Sequence, residues 1–477
     1  MLLALTVLAL STGLPVWALL AGVASLFAVL GLGAGVFDAR ILAATGSRLI
    51  NLLEYDLLQA IPLYIFVGVL LQRLPLADAL FSSACLHFRR TGAAPSLAAL
   101  TVGTLIAPMN GSVASSSSLL SRLVAPRLER LAPARAVALI SAAATIGVVV
   151  PPSLVLILLG DTMLRAHTEA SNLAGYQLSS QRIINTQDVL HAALLPALCV
   201  VLLWAAVAWL RGRRSALQAA ATEDKTRRTG HRHQIMALAA TLTIVGLLAG
   251  VFIGKLYAVE AAATGGCLLV LATRTLDGRQ WQIVLADSLA LSGALFALLV
   301  GATTFSLVFR LFGTDAWLTS KVLTSPWPPA VTAALVLLFV AACAWVLDAF
   351  EMIFVIIPIV APLLIVQLGD AQQTAVLLLL VLQLSFLIPP MGYAVLMVRS
   401  QSGLPRVGGT LLLRALAPFV ATQLLVGVVV FAAPQVVHWL DSPVTAEANA
   451  APMSNAEIAR QMEEMSRPAD AGADAKP

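Results

Sequence analysis

Long apolar runs alternate with short polar stretches from one end of this chain to the other. Ala333–Leu347 and Ala375–Leu387 are two such runs, and a run of about 20 apolar residues crosses a bilayer as a helix. Three places interrupt the pattern inside apolar sequence. "PMNGSVASSSSLL" (Pro108–Leu120) sets Asn110, Gly111, Ser112 and the serines at 115–118 between two greasy segments. "IGVVVPPSLVLILLG" (Ile146–Gly160) and "LSFLIPPMGYAVLMV" (Leu384–Val398) each carry a double proline. The pattern predicts an all-α polytopic membrane protein with helices broken at these points.

Composition narrows the picture. Of 477 residues, 59% are hydrophobic and only 11% charged, against about 25% charged in a soluble domain. So few charges cannot cover a soluble protein of this size. The net charge of +5 is concentrated in loops, where it reports topology and not nucleic-acid binding. Cys85, Cys199, Cys267 and Cys343 are scattered, with no CxxC spacing, and read as packing residues. Met1–Leu10 lacks the basic flank of a secretion signal and runs directly into more membrane sequence; it is expected to be retained.

The loop Arg211–His233, rich in Arg and Lys, is assigned to the cytoplasm by the positive-inside rule. Leu190–Leu210 then comes in from outside. The polar stretch Asp161–Asp188 is an exterior loop, and Ala136–Gly160 crosses outward. Arg89 and Arg90 flank the Asn-Gly-Ser segment on one side, and Arg122, Arg127, Arg130 and Arg135 on the other. Both flanks are cytoplasmic, so the intervening residues enter, turn at Met109–Ser112 and return as a re-entrant hairpin, about 95–124. Two short crossings or a polar surface loop are the alternatives. Gly111 permits the turn, and Asn110 and Ser112 can satisfy freed backbone groups. Non-helical backbone at membrane depth is tolerated only inside protein or around a cavity.

The interruptions repeat. The double prolines lie 238 residues apart. "STGLPVWALLAGVASLF" (Ser11–Phe27) parallels "VFIGKLYAVEAAATGGCLL" (Val251–Leu269), and "WVLDAFEMIFVIIPIVAPLL" (Trp345–Leu364) stands where the Asn-Gly-Ser segment stands in the first half. Gly111 precedes its double proline by 40 residues and Asp348 precedes its own by 41. Three crossings after the cytoplasmic loop (about 235–252, 255–273 and 283–309) bring the second hairpin in from the opposite side. The expected organisation is a first repeat over 1–210, a linker over 211–233 and an inverted second repeat over 234–440. The first repeat holds the hairpin, the broken helix 136–160 and the exterior insert 161–188. The second holds a hairpin at about 329–366 and a broken helix at 372–398. Inverted repeats with broken helices at the midplane mark secondary transporters.

That arrangement suits a cation. Desolvating a bare ion in hydrocarbon costs too much, and broken helices offer carbonyl oxygens and terminal dipoles instead. Pro151, Pro152, Pro389 and Pro390 have no amide donors, which leaves carbonyls around Thr145–Val148 and Leu384–Leu387 free to face an ion. Ser153 adds a hydroxyl and Gly392 close backbone access. An isolated Pro-Pro could simply kink a packed helix; two copies at matched spacing favour a site. Asp348 and Glu351 are the costliest charges in the chain if they sit at membrane depth, where a carboxylate is a functional candidate; a partly wet position at the hairpin mouth is the alternative. Glu260 can pair with Lys255, and Glu54 and Asp56 suit a helix N-terminus.

These motifs together carry a resemblance. "GLPVWALLAG", "AIPLYIFVGVLL", "NGSVAS", "VVVPPSLVLILLG", "YAVEAAA", "VLDAFEMIFVIIPIVAPL" and "FLIPPMGYAVLMV" occur in this order over Leu10 to Pro434. The chain resembles the large membrane subunit, DctM type, of tripartite ATP-independent periplasmic (TRAP) transporters. The resemblance implies an elevator-type, sodium-coupled importer of a small organic acid or related polar solute in the bacterial inner membrane. It implies two partners, a separate four-helix small membrane subunit and a periplasmic substrate-binding protein, and no cofactor beyond sodium as coupling ion. Sodium sites carried over fall on Asn110–Ser112 with the region before Pro151, and on the Asp348 hairpin with the region before Pro389. Two departures stand out: the family usually has Ser-Gly-Ser where this chain has Asn110-Gly111-Ser112, and Asp161–Asp188 exceeds the usual short connection. That insert is expected to help dock the binding protein or to cover the neighbouring subunit.

A stand-alone sodium/carboxylate symporter of similar architecture is the alternative. An intramembrane enzyme finds little support: there is no HExxH or GxSG, and His231 and His233 belong to the basic loop. The tail 441–477 is polar and expected to be largely disordered, with one short capped helix over Ser454–Arg467.

Overall fold

The computed structural model describes residues 13–441 except 39, 41–45, 48–49, 51–55, 75, 111, 129–130, 174–175, 177–183, 220–230, 273–276, 346 and 389–391. The expected tail and the centre of the expected linker lie outside the described residues. Every regular element among the described residues is helical. Six helices are long and apolar enough to cross a membrane, or up to eight if each of two bent pairs is one span.

One group of helices forms a frame. It comprises α1 (Val16–Gly33), α2 (Asp56–Arg73) and α3 (Leu76–His87) from the first half, and α9 (His231–Phe252), α10 (Ala258–Ala272) and α11 (Gly278–Leu311) from the second. The halves pair here: α1 packs on α11, α2 on α10 and α11, and α3 on α9. Gly301 permits the approach of α1 to α11, because a Cβ there would stand 2.9 Å from the Trp17 carbonyl oxygen. The long helix α11 starts on a capping box: Asp277 accepts from the Gln280 N–H at 2.8 Å and Gln280 accepts from the Asp277 N–H at 3.2 Å, satisfying two donors that a helix start leaves orphaned.

The second group carries the breaks. In the first half, α4 (Ala94–Asn110) and α5 (Val113–Val124) flank the Asn-Gly-Ser break, and α6 (Pro133–Val149) and α7 (Leu154–Ala170) flank the first double proline, with a bend of 42° between α6 and α7. In the second half, α13 (Pro329–Cys343) and α14 (Ala349–Leu368) flank Asp348, and α15 (Ala371–Ser385) and α16 (Tyr393–Gln401) flank the second double proline. A π-helical turn, Met352–Ile356, lies inside α14. The long helices α8 (Thr186–Ala219) and α17 (Gly409–Ala432) pack on each other and on α15. Side-chain donors join them across the apolar interior: Trp204 Nε1 reaches the Phe419 carbonyl at 3.1 Å, and Gln423 Nε2 reaches Gln383 Oε1 at 2.7 Å. Between helices that lipid would solvate equally well, such bonds fix which faces meet. The short helix α12 (Thr314–Leu323) joins α11 to α13 and has no buried residue.

Two boundaries differ from the sequence expectation. The helix after the first double proline does not end at Gly160 but runs to Ala170, ten residues into the stretch read as exterior loop. Its inward face stays regular, with Thr162, Met163, Ala166, His167 and Ala170 all buried. Polarity along Asp161–Ala170 reflects one wet helix face, which a loop assignment mistakes for loss of structure. At the linker, α8 continues to Ala219 and α9 begins at His231, so the helices reach into both ends of 211–233.

Candidate ion and solute site

Glycine spacing sets the relation between the first two broken elements. A Cβ on Gly103 would lie 2.5 Å from the Ala143 carbonyl oxygen, and one on Gly147 would lie 2.4 Å from the Ala107 carbonyl carbon. The contacts advance together, 103 with 143 and 107 with 147, so α4 and α6 run parallel at backbone contact. Small residues four apart on both helices allow this approach. With 107 beside 147, the last residues of α4 (to Asn110) and of α6 (to Val149) end at one level. Parallel α4 and α6 also require the intervening chain, α5 included, to return to the side on which α4 began.

Around this level the expected residues are distributed as follows. Asn110 ends α4, Gly111 lies outside the described residues, and the half-buried Ser112 precedes α5. Ser116, Ser117 and Ser121 line the buried side of α5, so the serine run is one face of a helix. Thr145 is fully buried, its hydroxyl donating to the Ala142 carbonyl at 3.0 Å. The Val150 N–H still donates to Ile146 at 3.1 Å, so prolines at 151 and 152 withhold donors from the carbonyls of Gly147 and Val148. This narrows the freed group from the four residues expected to two. Pro151 and Pro152 are buried. Ser153 caps α7, accepting from the Leu156 N–H at 3.2 Å, and its own hydroxyl lies 3.5 Å from the Val148 carbonyl.

In the second half Asp348 caps α14. Glu351 completes a capping box, its carboxylate accepting from the Asp348 N–H at 2.9 Å. Asp348 Oδ1 is buried and has no hydrogen-bond partner among the described residues. Tyr393, at the start of α16, lies near enough to both carboxylates for their charges to bear on its phenol; sequence reasoning passed over it as an ordinary helix residue. Leu384 and Leu387 bond to each other, carbonyl to N–H at 3.0 Å, and the Phe386 carbonyl accepts from the Ala394 N–H at 3.2 Å. The carbonyl that proline at 389 deprives of its helical donor is that of Ser385. Gly392 stands where a Cβ would meet the Phe386 carbonyl oxygen at 3.0 Å and that of Ile388 at 3.1 Å. Pro389 and Pro390 themselves lie outside the described residues.

The halves interlock reciprocally. The far arm of the first broken helix, α7, packs on α14 of the second half, and the far arm of the second, α16, packs on α5 of the first. The near arms, α6 and α15, pack on each other. Each half thus supplies the wall against which the other's broken helix continues. Broken helices whose near arms meet and whose far arms cross to the other half define a polytopic membrane protein of the broken-helix transporter class.

The comparisons agree and go further. Residues 2–436 match the family described as "Tripartite ATP-independent periplasmic transporter, DctM component", and the chain belongs to that family. A Haemophilus influenzae protein described as a TRAP transporter large permease is 23% identical over 394 residues, covering 80% of this chain and 92% of that protein. Among solved structures, the YdaH transporter of Alcanivorax borkumensis has a similar fold, with a TM-score of 0.59 and 16% identity, over 83% of this chain and 89% of that one. The chain is therefore a multi-pass membrane protein of a transporter family.

Proposed function

We propose that this protein is a sodium-coupled secondary importer of a small organic acid or related polar solute in the bacterial inner membrane. It works with a separate four-helix membrane subunit and receives its solute from a soluble periplasmic binding protein. One observation carries the ion assignment: a buried carboxylate oxygen, Asp348 Oδ1, without a hydrogen-bond partner among the described residues. An uncompensated buried acceptor is costly, and a cation drawn to it removes that cost. The Ser385 carbonyl, which lacks its helical donor at the second break, is the neutral oxygen assigned to the same set. Ser112, Thr145, Ser153 and the Gly147 and Val148 carbonyls supply a second, uncharged set. Oxygen-only sets of this kind suit a hard monovalent cation.

The two groups of helices support the transport reading. Ligands on the interlocked group could travel as one unit against the frame of α1–α3 and α9–α11. Charge balance gives coupling: with the cation bound, the Asp348 charge is neutralised before the unit crosses the hydrocarbon region.

The test is uptake into proteoliposomes holding both membrane subunits, with the binding protein added outside. Accumulation is expected to follow an inward sodium gradient, to stop without the binding protein, and to weaken when Ser112 is replaced by Ala. Equal uptake under a proton gradient without sodium would overturn the ion assignment. Uptake independent of the binding protein would favour a stand-alone symporter.

A further inference from the structure

A cavity of about 240 Å³ lies between α7, α11 and α14, with Leu58 of α2 at its edge. It holds none of the ion-site residues named above. From α7 it is lined by Asp161, Arg165 and Glu169, and from α11 by Thr303, Ser306 and Arg310. Spacings of four on α7, and of three to four on α11, put each set on one helix face. Asp161 and Arg165 pair on their own helix at 3.4 Å. Glu169 instead reaches across to the frame, where Arg310 Nη2 meets its Oε1 at 2.6 Å.

We infer that this cavity binds the carboxylate of the transported solute, on the Arg310 guanidinium, with Glu169 as the resident anion that the solute replaces. The inference rests on the organic-acid reading above. Arg310 is the fitting group because its planar fork matches a carboxylate and already holds one. The exchange is cheap: Arg310 and Glu169 side chains are 37% and 40% exposed, and ion pairs that wet are weak. Swapping one carboxylate for another conserves the charge pairing at Arg310. Ser306 and Thr303 stand one and two turns away from Arg310 on the same face, placed to bond hydroxyl or carbonyl groups on the remainder of the solute. The volume suits a small acid and lies below the range of about 300–1,000 Å³ typical of drug-sized ligands. Release of Glu169 also removes a tie between α7 of the interlocked group and α11 of the frame, so solute binding would loosen the contact that movement must break.

Alkylation of Ser306→Cys tests this in the full chain in nanodiscs, read at that position by mass spectrometry so that the native cysteines do not interfere. Acetate is the probe, compared with chloride at equal ionic strength. Freeing Arg310 with Glu169→Gln is expected to let acetate slow alkylation by about fivefold. Arg310→Gln is expected to abolish this protection, and Arg310→Lys to retain part of it. Variants are compared only as monodisperse protein, with Glu169→Ala in place of Glu169→Gln if the latter does not purify. Protection that persists in Arg310→Gln, or is absent when Glu169 is neutralised, overturns the inference. No sodium gradient enters the measurement, so failure of the ion assignment and failure of this one are separable.

Discussion

Asp348→Asn is expected to lower sodium-driven uptake by about 100-fold, the equivalent of about 2.7 kcal/mol of lost ion binding. The substitution keeps the size and the helix cap but removes the charge. Neutral amide oxygen is a poor replacement for a buried carboxylate, whose interactions exceed those of neutral partners. Glu351→Gln should cost far less, about fivefold or under, because Glu351 accepts the Asp348 N–H and an amide oxygen can do the same. Initial uptake rates at several sodium concentrations distinguish the two. The Asp348 variant should need much more sodium, the Glu351 variant little more. Reversal of that order would move the ion site from Asp348 to Glu351.

The second large effect concerns packing. Gly147→Val is expected to prevent recovery of folded protein, and Gly147→Ala to lower the melting temperature measurably. A Cβ at 147 meets the Ala107 backbone at 2.4 Å, and backbone cannot rotate away as a side-chain tip can. Overpacking a close-packed core typically costs about 1–3 kcal/mol, and here the helices themselves must separate. Gly103→Ala should behave like Gly147→Ala, since its Cβ would meet the Ala143 carbonyl oxygen at 2.5 Å. Glycine to alanine at Gly246, where nothing lies within 4 Å, is the control and should leave stability unchanged or raised. Size-exclusion profiles and thermal melts in detergent measure all four. Normal behaviour of Gly147→Val would show that α4 and α6 do not meet in the register described.

Much of this architecture was legible in the chain because membrane helices advertise themselves and prolines punctuate them. Double prolines and the matched spacings of 40 and 41 located the breaks. Other features were hidden for physical reasons. The parallel contact of α4 and α6 depends on Gly103, Ala107, Ala143 and Gly147, small residues that hydropathy does not weigh. The course of α7 to Ala170 was obscured because Asp161, Arg165 and Glu169 lower its mean hydropathy, although their spacing of four is that of a single helix face. The Glu169–Arg310 pair joins residues 141 apart, which no local pattern announces. Tyr393 gains interest only from its place beside two carboxylates.

Sodium binding to the purified protein tests the central claim most directly. A ligand that binds only the folded state stabilises it in proportion to the logarithm of its saturation. The melting temperature is therefore predicted to rise with sodium chloride, to stay flat in potassium or choline chloride at equal ionic strength, and to lose its sodium dependence in Asp348→Asn. An equal rise in choline chloride, or no rise in sodium, would contradict the account.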